Sequence, residues 1–133
     1  MIDYQFKLNF EVRDYECDLQ KIVNNANYQH YLEHARHLFL KQKGLDFASL
    51  AEGGINLVIV RIEIDYLYPL RSGDQFFVGV NRERISRLRF GFLQDIYRRP
   101  DNKSIAKAKV IVTSVNEDGR PYLPKEIEEV MES

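Results

Sequence analysis

The chain has 133 residues and is 44% hydrophobic, which suits one domain spanning 1–133 with a real core. Its 19 basic and 20 acidic side chains leave a net charge of −1, so nothing global points to nucleic acid or to a membrane surface. Cys17 is the only cysteine, which excludes an internal disulfide and leads us to expect a cytoplasmic protein.

The opening "MIDYQFKLNF" reads as neither a signal peptide nor a transit peptide, and no apolar run approaches the ~18 residues of a membrane span. Residues 4–13 alternate. Phe6, Leu8, Phe10 and Val12 share one face while Gln5, Lys7, Asn9 and Glu11 share the other, as in a half-buried strand. Residues 14–23 lose that order and read as a loop. From Asn24 to Gln42 the period lengthens. Tyr28, Tyr31, Leu32, Ala35, Leu38 and Phe39 make one apolar stripe on a helix, with Asn24 as N-cap and Gly44 as the stop. "LDFASLAEGG" is a less regular connection.

Four strands follow. In residues 56–68, alternation puts Val58, Val60, Ile62, Ile64 and Tyr66 on one face and Leu57, Ile59, Arg61, Glu63 and Asp65 on the other. Strands at 75–85, 89–98 and 104–116 are separated by turns, and a short helix begins near Pro124. One helix followed by a run of strands argues for an α+β domain with an antiparallel sheet. Long strands joined by tight turns predict a strongly curved sheet wrapped around the central helix. The other sheet face, with Leu57, Ile59, Ile105 and Ile111 among charges, would leave apolar area for another subunit.

The residues suited to chemistry gather before the long helix. The first N–H groups of a helix lack internal partners and carry partial positive charge, so they can hold an anion that forms during a reaction. Asp18, in the loop just upstream, could attack a carbonyl placed on those groups or direct water at it. On residue chemistry alone a second reading stays open: Asp18 caps a turn, and Asn24, Asn25 and Asn27 satisfy helix ends.

The stretch "VRDYECDLQKIVNNANYQHYLEHAR", residues 12–36, resembles the signature of the hotdog-fold acyl-CoA thioesterases, the 4-hydroxybenzoyl-CoA thioesterase family. The matching residues are Tyr15, Asp18, Ile22, Val23, Ala26, Asn27, Tyr28, Tyr31, Glu33, Ala35 and Arg36. "IEIDYLYPLRSGD" and "DGRPYLP" are similar to later strand and turn segments of that family, in the same order. The resemblance implies a hotdog fold, with a curved five-stranded antiparallel sheet around one long helix and a short C-terminal helix. It also implies hydrolysis of an acyl-CoA or related acyl thioester, with Asp18 as nucleophile or general base and an oxyanion site at the backbone of Asn25 and Ala26. Substrate-binding candidates are Lys21, Val23, Tyr28, Ser86, Arg87 and Arg89. No metal and no cofactor is implied, and the partners are the thioester substrate and further copies of the chain, as dimers or tetramers whose sites lie between subunits. The alternative is a non-catalytic hotdog module that binds acyl thioesters or acts in assembly. Lys21 stands where the family commonly has Gly, and Asn25 where it often has His or Tyr.

Other candidates have plainer readings. Glu33 can pair with Arg36 or His37 at helical spacing. Glu63 shares a face with Arg61 and Asp65 and suits an exposed or subunit-facing ion pair. His30, His34 and His37 have chelating spacing but no partner acid. Cys17 has no base beside it. Arg82, Arg84, Arg87 and Arg89 surround a turn and could clamp the phosphates of coenzyme A, or simply solvate a hairpin tip.

Overall fold

A computed structural model describes residues 3–132, without the side chain of Phe47. The elements run β1 (Phe6–Glu11), α1 (Asn25–Gln42), α2 (Phe47–Glu52), β2 (Asn56–Tyr66), β3 (Gln75–Arg84), β4 (Arg89–Arg99), β5 (Lys103–Val115) and α3 (Lys125–Glu132). The five strands form one antiparallel sheet in the order β1-β3-β4-β5-β2. This is the curved hotdog sheet expected from the sequence. The last three strands are a meander, and the two earliest strands close its edges.

The helix forms where the stripe predicts it. Asn24 caps it, its side-chain oxygen accepting from Ala26 N–H at 2.9 Å. At the other end Gly44, at φ +94°, lets Leu45 N–H reach Leu40 O at 3.0 Å, which a residue with a Cβ would resist. Tyr28, Tyr31, Leu32, Ala35 and Phe39 are buried, and Arg36 and Leu40 join them. The helix lies over β1 and β3. Phe10 stacks on Phe76 with ring centroids 5.0 Å apart, Tyr31 meets Phe76 at 4.8 Å, and Phe6 meets Phe39 at 5.7 Å. Burying each such ring removes apolar surface worth about 1.5–3 kcal/mol, so this side of α1 anchors the core.

Two bulges correct the strand faces read from alternation. The β2–β5 register shifts between Ile59 and Arg61, so Val60 is an extra residue and the alternation restarts after it. Leu57 and Ile59 therefore share the helix-facing side with Ile62 and Ile64, while Val58 and Val60 turn away from it. A second shift, opposite Ile96 and Tyr97 of β4, leaves Ile105 unpaired and fully buried in the core. Of the four residues expected on the outer face, only Ile111 stays there. The rest of that face carries ion pairs such as Lys109–Glu83 at 3.1 Å and Arg61–Glu63 at 2.5 Å, the latter between exposed groups as expected for Glu63.

Candidate active site at the mouth of the central helix

The loop between β1 and α1 is more ordered than its sequence suggests. A turn of 3-10 helix covers Asp14–Glu16, and Cys17 then pairs with Val23 in a one-bridge antiparallel ladder. Asp18 N–H donates to Ile22 O and Lys21 N–H to Asp18 O, both at 2.9 Å. The Asp18 carboxylate accepts Gln20 N–H at 2.8 Å and is otherwise exposed. Lys21 sits at φ +65°, the left-handed conformation that glycine adopts without strain.

Glu16 ties this turn to the helix. Its carbonyl accepts Asn24 N–H at 3.0 Å and the Asn27 side-chain amide at 2.8 Å. Its carboxylate, on a residue only 6% exposed, accepts Arg13 N–H at 2.8 Å and the Tyr31 hydroxyl at 2.9 Å. Burial, then the Glu16 carboxylate, pushes the Tyr31 phenol well above its ordinary value, so it remains a donor. A second tie runs through Leu70, whose O accepts Val23 N–H at 2.8 Å and whose N–H donates to the Tyr28 hydroxyl at 3.0 Å.

The three asparagines thus divide the work. The Asn24 side chain occupies Ala26 N–H, and the Asn27 side chain holds the loop. Asn27 N–H is taken by Asn24 O at 2.9 Å. Among the described residues, Asn25 N–H meets no acceptor in the chain, which leaves it as the open donor at the helix tip. The expected pair Asn25 and Ala26 is narrowed to Asn25.

The remaining candidates separate. Lys21 is exposed on the Asp18 turn. Val23 and Tyr28 are 1% and 3% exposed and belong to the core, a correction to their place among ligand contacts, since both fasten the loop instead. Ser86, Arg87 and Arg89 lie at the far end of β3, about 30 Å from the Asp18 end by strand length. There they line a cleft of about 420 Å³ with Val58, Val60 and Pro121. The other two hairpin arginines are engaged. Arg82 donates to Val130 O at 2.5 Å, and Arg84 pairs with Glu128 at 3.5 Å and with Glu132. A four-arginine clamp therefore reduces to Arg87 and Arg89.

His30 and His37 line a groove beside β2, whereas His34 lies edge-on to Phe10 at 6.0 Å on the other side. Among the described residues no group of three or more side chains could hold a metal ion. Burial pushes the Cys17 thiol up, away from nucleophilic chemistry. Sequence reasoning missed the buried Glu16 and the buried pair Arg36 and Gln94. The Arg13-x-x-Glu16 spacing of a capping box was the one available signal for Glu16.

The family description "Thioesterase-like superfamily" matches residues 12–133. The chain belongs to that superfamily. It is 36% identical over 115 residues to an acyl-acyl carrier protein thioesterase of Arabidopsis thaliana, ATL3, covering 86% of this chain and 60% of that protein. It is 33% identical over 120 residues to a putative esterase of Aquifex aeolicus, covering 90% of this chain and 92% of that one. The chain thus spans about 60% of the length of the plant relatives it matches. A crystal structure of a hypothetical protein from Aquifex aeolicus superposes with a TM-score of 0.87 at 33% identity, over 95% of this chain and 98% of the other. A 1,4-dihydroxy-2-naphthoyl-CoA thioesterase from Synechocystis shares the fold, with a TM-score of 0.89 at 19% identity over 95% and 94% of the two chains. No helix of this superfamily member is long and apolar enough to cross a membrane.

Proposed function

We propose that this protein hydrolyses acyl thioesters, of coenzyme A or of an acyl carrier, to a free acid and a thiol. The observation that carries this reading is the open Asn25 N–H, fastened through Glu16 to the turn that bears Asp18. The substrate carbonyl oxygen accepts Asn25 N–H, and the helix tip stabilises negative charge as the carbonyl carbon becomes tetrahedral. Asp18 either attacks that carbon or removes a proton from the water that attacks it. Collapse breaks the C–S bond, and the sulfur leaves as a thiolate that takes a proton from solvent. In the direct-attack route water then hydrolyses the Asp18–acyl anhydride, returning the carboxylate.

Asp18 is exposed in the single chain, and a water-filled site would weaken this electrostatic stabilisation. The site gains its cover in a homo-oligomer. β2 is an 11-residue edge strand whose Val58, Ile59 and Val60 are exposed, a natural partner for a second copy of itself. Antiparallel pairing of the two edges would carry the partner's Arg87 and Arg89 toward the Asp18 end, where a substrate's phosphates could meet them and Lys21. A cytoplasmic location belongs to the same reading.

Thiol release from a panel of acyl-CoA and acyl-carrier thioesters tests the proposal. We expect turnover that Asp18→Asn abolishes. Turnover unchanged by that substitution places the chemistry elsewhere, and intact binding without turnover marks a binding module.

A further inference from the structure

The two sides of α1 are packed unequally. Toward β1 and β3 it is sealed by aromatic rings. Toward β2 and β5 a groove of about 300 Å³ stays open, walled by apolar Leu57, Ile59, Phe92 and Val112. Arg36 lines this groove and the smaller cleft that adjoins it. Among the described residues it is the only buried cation, at 6% exposure. Its guanidinium donates to Gln94 Oε1 at 3.1 Å, and Gln94 in turn donates to Leu32 O at 2.9 Å. Gln94 therefore holds Arg36 in place without neutralising it. Among the described residues no carboxylate comes within ion-pair distance of Arg36. Glu33, expected to pair with it along the helix, is exposed at the lip of the same groove and forms no ion pair.

A buried charge without a counter-ion is unfavourable by several kcal/mol, on the order seen for broken buried pairs. The groove carries both signs, the acid at its lip and the base in its wall, three residues apart on one helix. The pair sits astride the middle of the 18-residue helix. A surface with that pattern is complementary to itself under a two-fold rotation, where residue i meets j and j meets i. We propose that the groove between α1 and β2 seats α1 of a second copy, antiparallel, with Arg36 of each copy paired to the partner's Glu33. The pairing occurs twice per dimer, and it gives the edge-strand association a fixed register. This rests on the homo-oligomer reading above and names the contact that would enforce it.

Analytical ultracentrifugation of the full chain and its Glu33→Arg, Glu33→Gln, Arg36→Glu and Glu33→Arg/Arg36→Glu variants tests the pairing. Wild type is expected to sediment as a dimer or as an assembly of dimers. Glu33→Arg should raise the dissociation constant by about thirtyfold or more, and Glu33→Gln by less. The double variant, which restores opposite charges across the two-fold, should recover most of the loss. Glu33 is exposed in the single chain, so its variants should fold even if Arg36→Glu does not, which circular dichroism checks. An unchanged dissociation constant for Glu33→Arg, or no recovery in a folded double variant, overturns the pairing while leaving the homo-oligomer standing. A wild-type chain that is monomeric at every concentration overturns both. Turnover is assayed in parallel. A raised KM with an undisturbed dimer gives the groove to the acyl chain and also overturns the pairing.

Discussion

The Asp18 turn and the arginine hairpin are the two regions whose residue types announce function, and they are held in opposite ways. The turn is fastened by backbone carbonyls, amides and one buried carboxylate, and this leaves Asp18 largely open and Asn25 N–H free. The hairpin is fastened by its own charges: Arg82 and Arg84 grip α3, and only Arg87 and Arg89 remain without an ion-pair partner among the described residues. A charged side chain is available for ligands only where something else does the holding.

The sharpest break in that contrast is Asp18→Asn, which should cut thioester hydrolysis by about a hundred- to ten-thousandfold and leave the thermal unfolding midpoint in place. A matching loss of stability would make Asp18 a structural residue like the hairpin arginines. Glu16→Ala strands the Tyr31 hydroxyl and Arg13 N–H, and should lower stability by about 1–3 kcal/mol in urea unfolding. It should also reduce kcat more than KM, because the turn shifts relative to the helix tip. Arg87→Ala with Arg89→Ala should raise KM for acyl-CoA by about tenfold at low salt and less at high salt. The same pair should leave a short thioester lacking phosphates unaffected in a steady-state assay. Lys21→Gly should stabilise the chain by up to about 1 kcal/mol by relieving the left-handed backbone, partly offset by added chain entropy. Arg84→Ala should cost less than about 1 kcal/mol and leave turnover alone; a large loss of turnover would return Arg84 to the ligand side of the comparison.

What could be read in advance followed from periodicity. The stripe from Tyr28 to Phe39 located the helix, Asn24 and Gly44 marked its ends, and strand limits fell within a few residues of those observed. The bulge at Val60 was hidden because residues 57–60 are all apolar, so nothing in their polarity marks where alternation slips. Glu16 and Arg36 look like surface charges in the sequence. Their burial depends on partners brought in by the fold, Tyr31 from fifteen residues away and Gln94 from fifty-eight. The division of labour among the asparagines was equally invisible, because one residue type serves a cap, a loop tie and an open amide, and only geometry tells them apart.

The strand order has a consequence for how the chain is made. β1 hydrogen-bonds to β3 and β2 to β5, so neither of the first two strands has a neighbour until the C-terminal meander is synthesised. The meander, built from consecutive hairpins, can form from local contacts, and the earlier strands and helix dock onto it afterwards. On a ribosome the Asp18 turn leaves the tunnel among the first segments, yet it must wait for nearly the whole polypeptide before it has a surface to rest on. Nascent chains stalled before β5 should therefore expose α1 and β2 to chaperones and proteases.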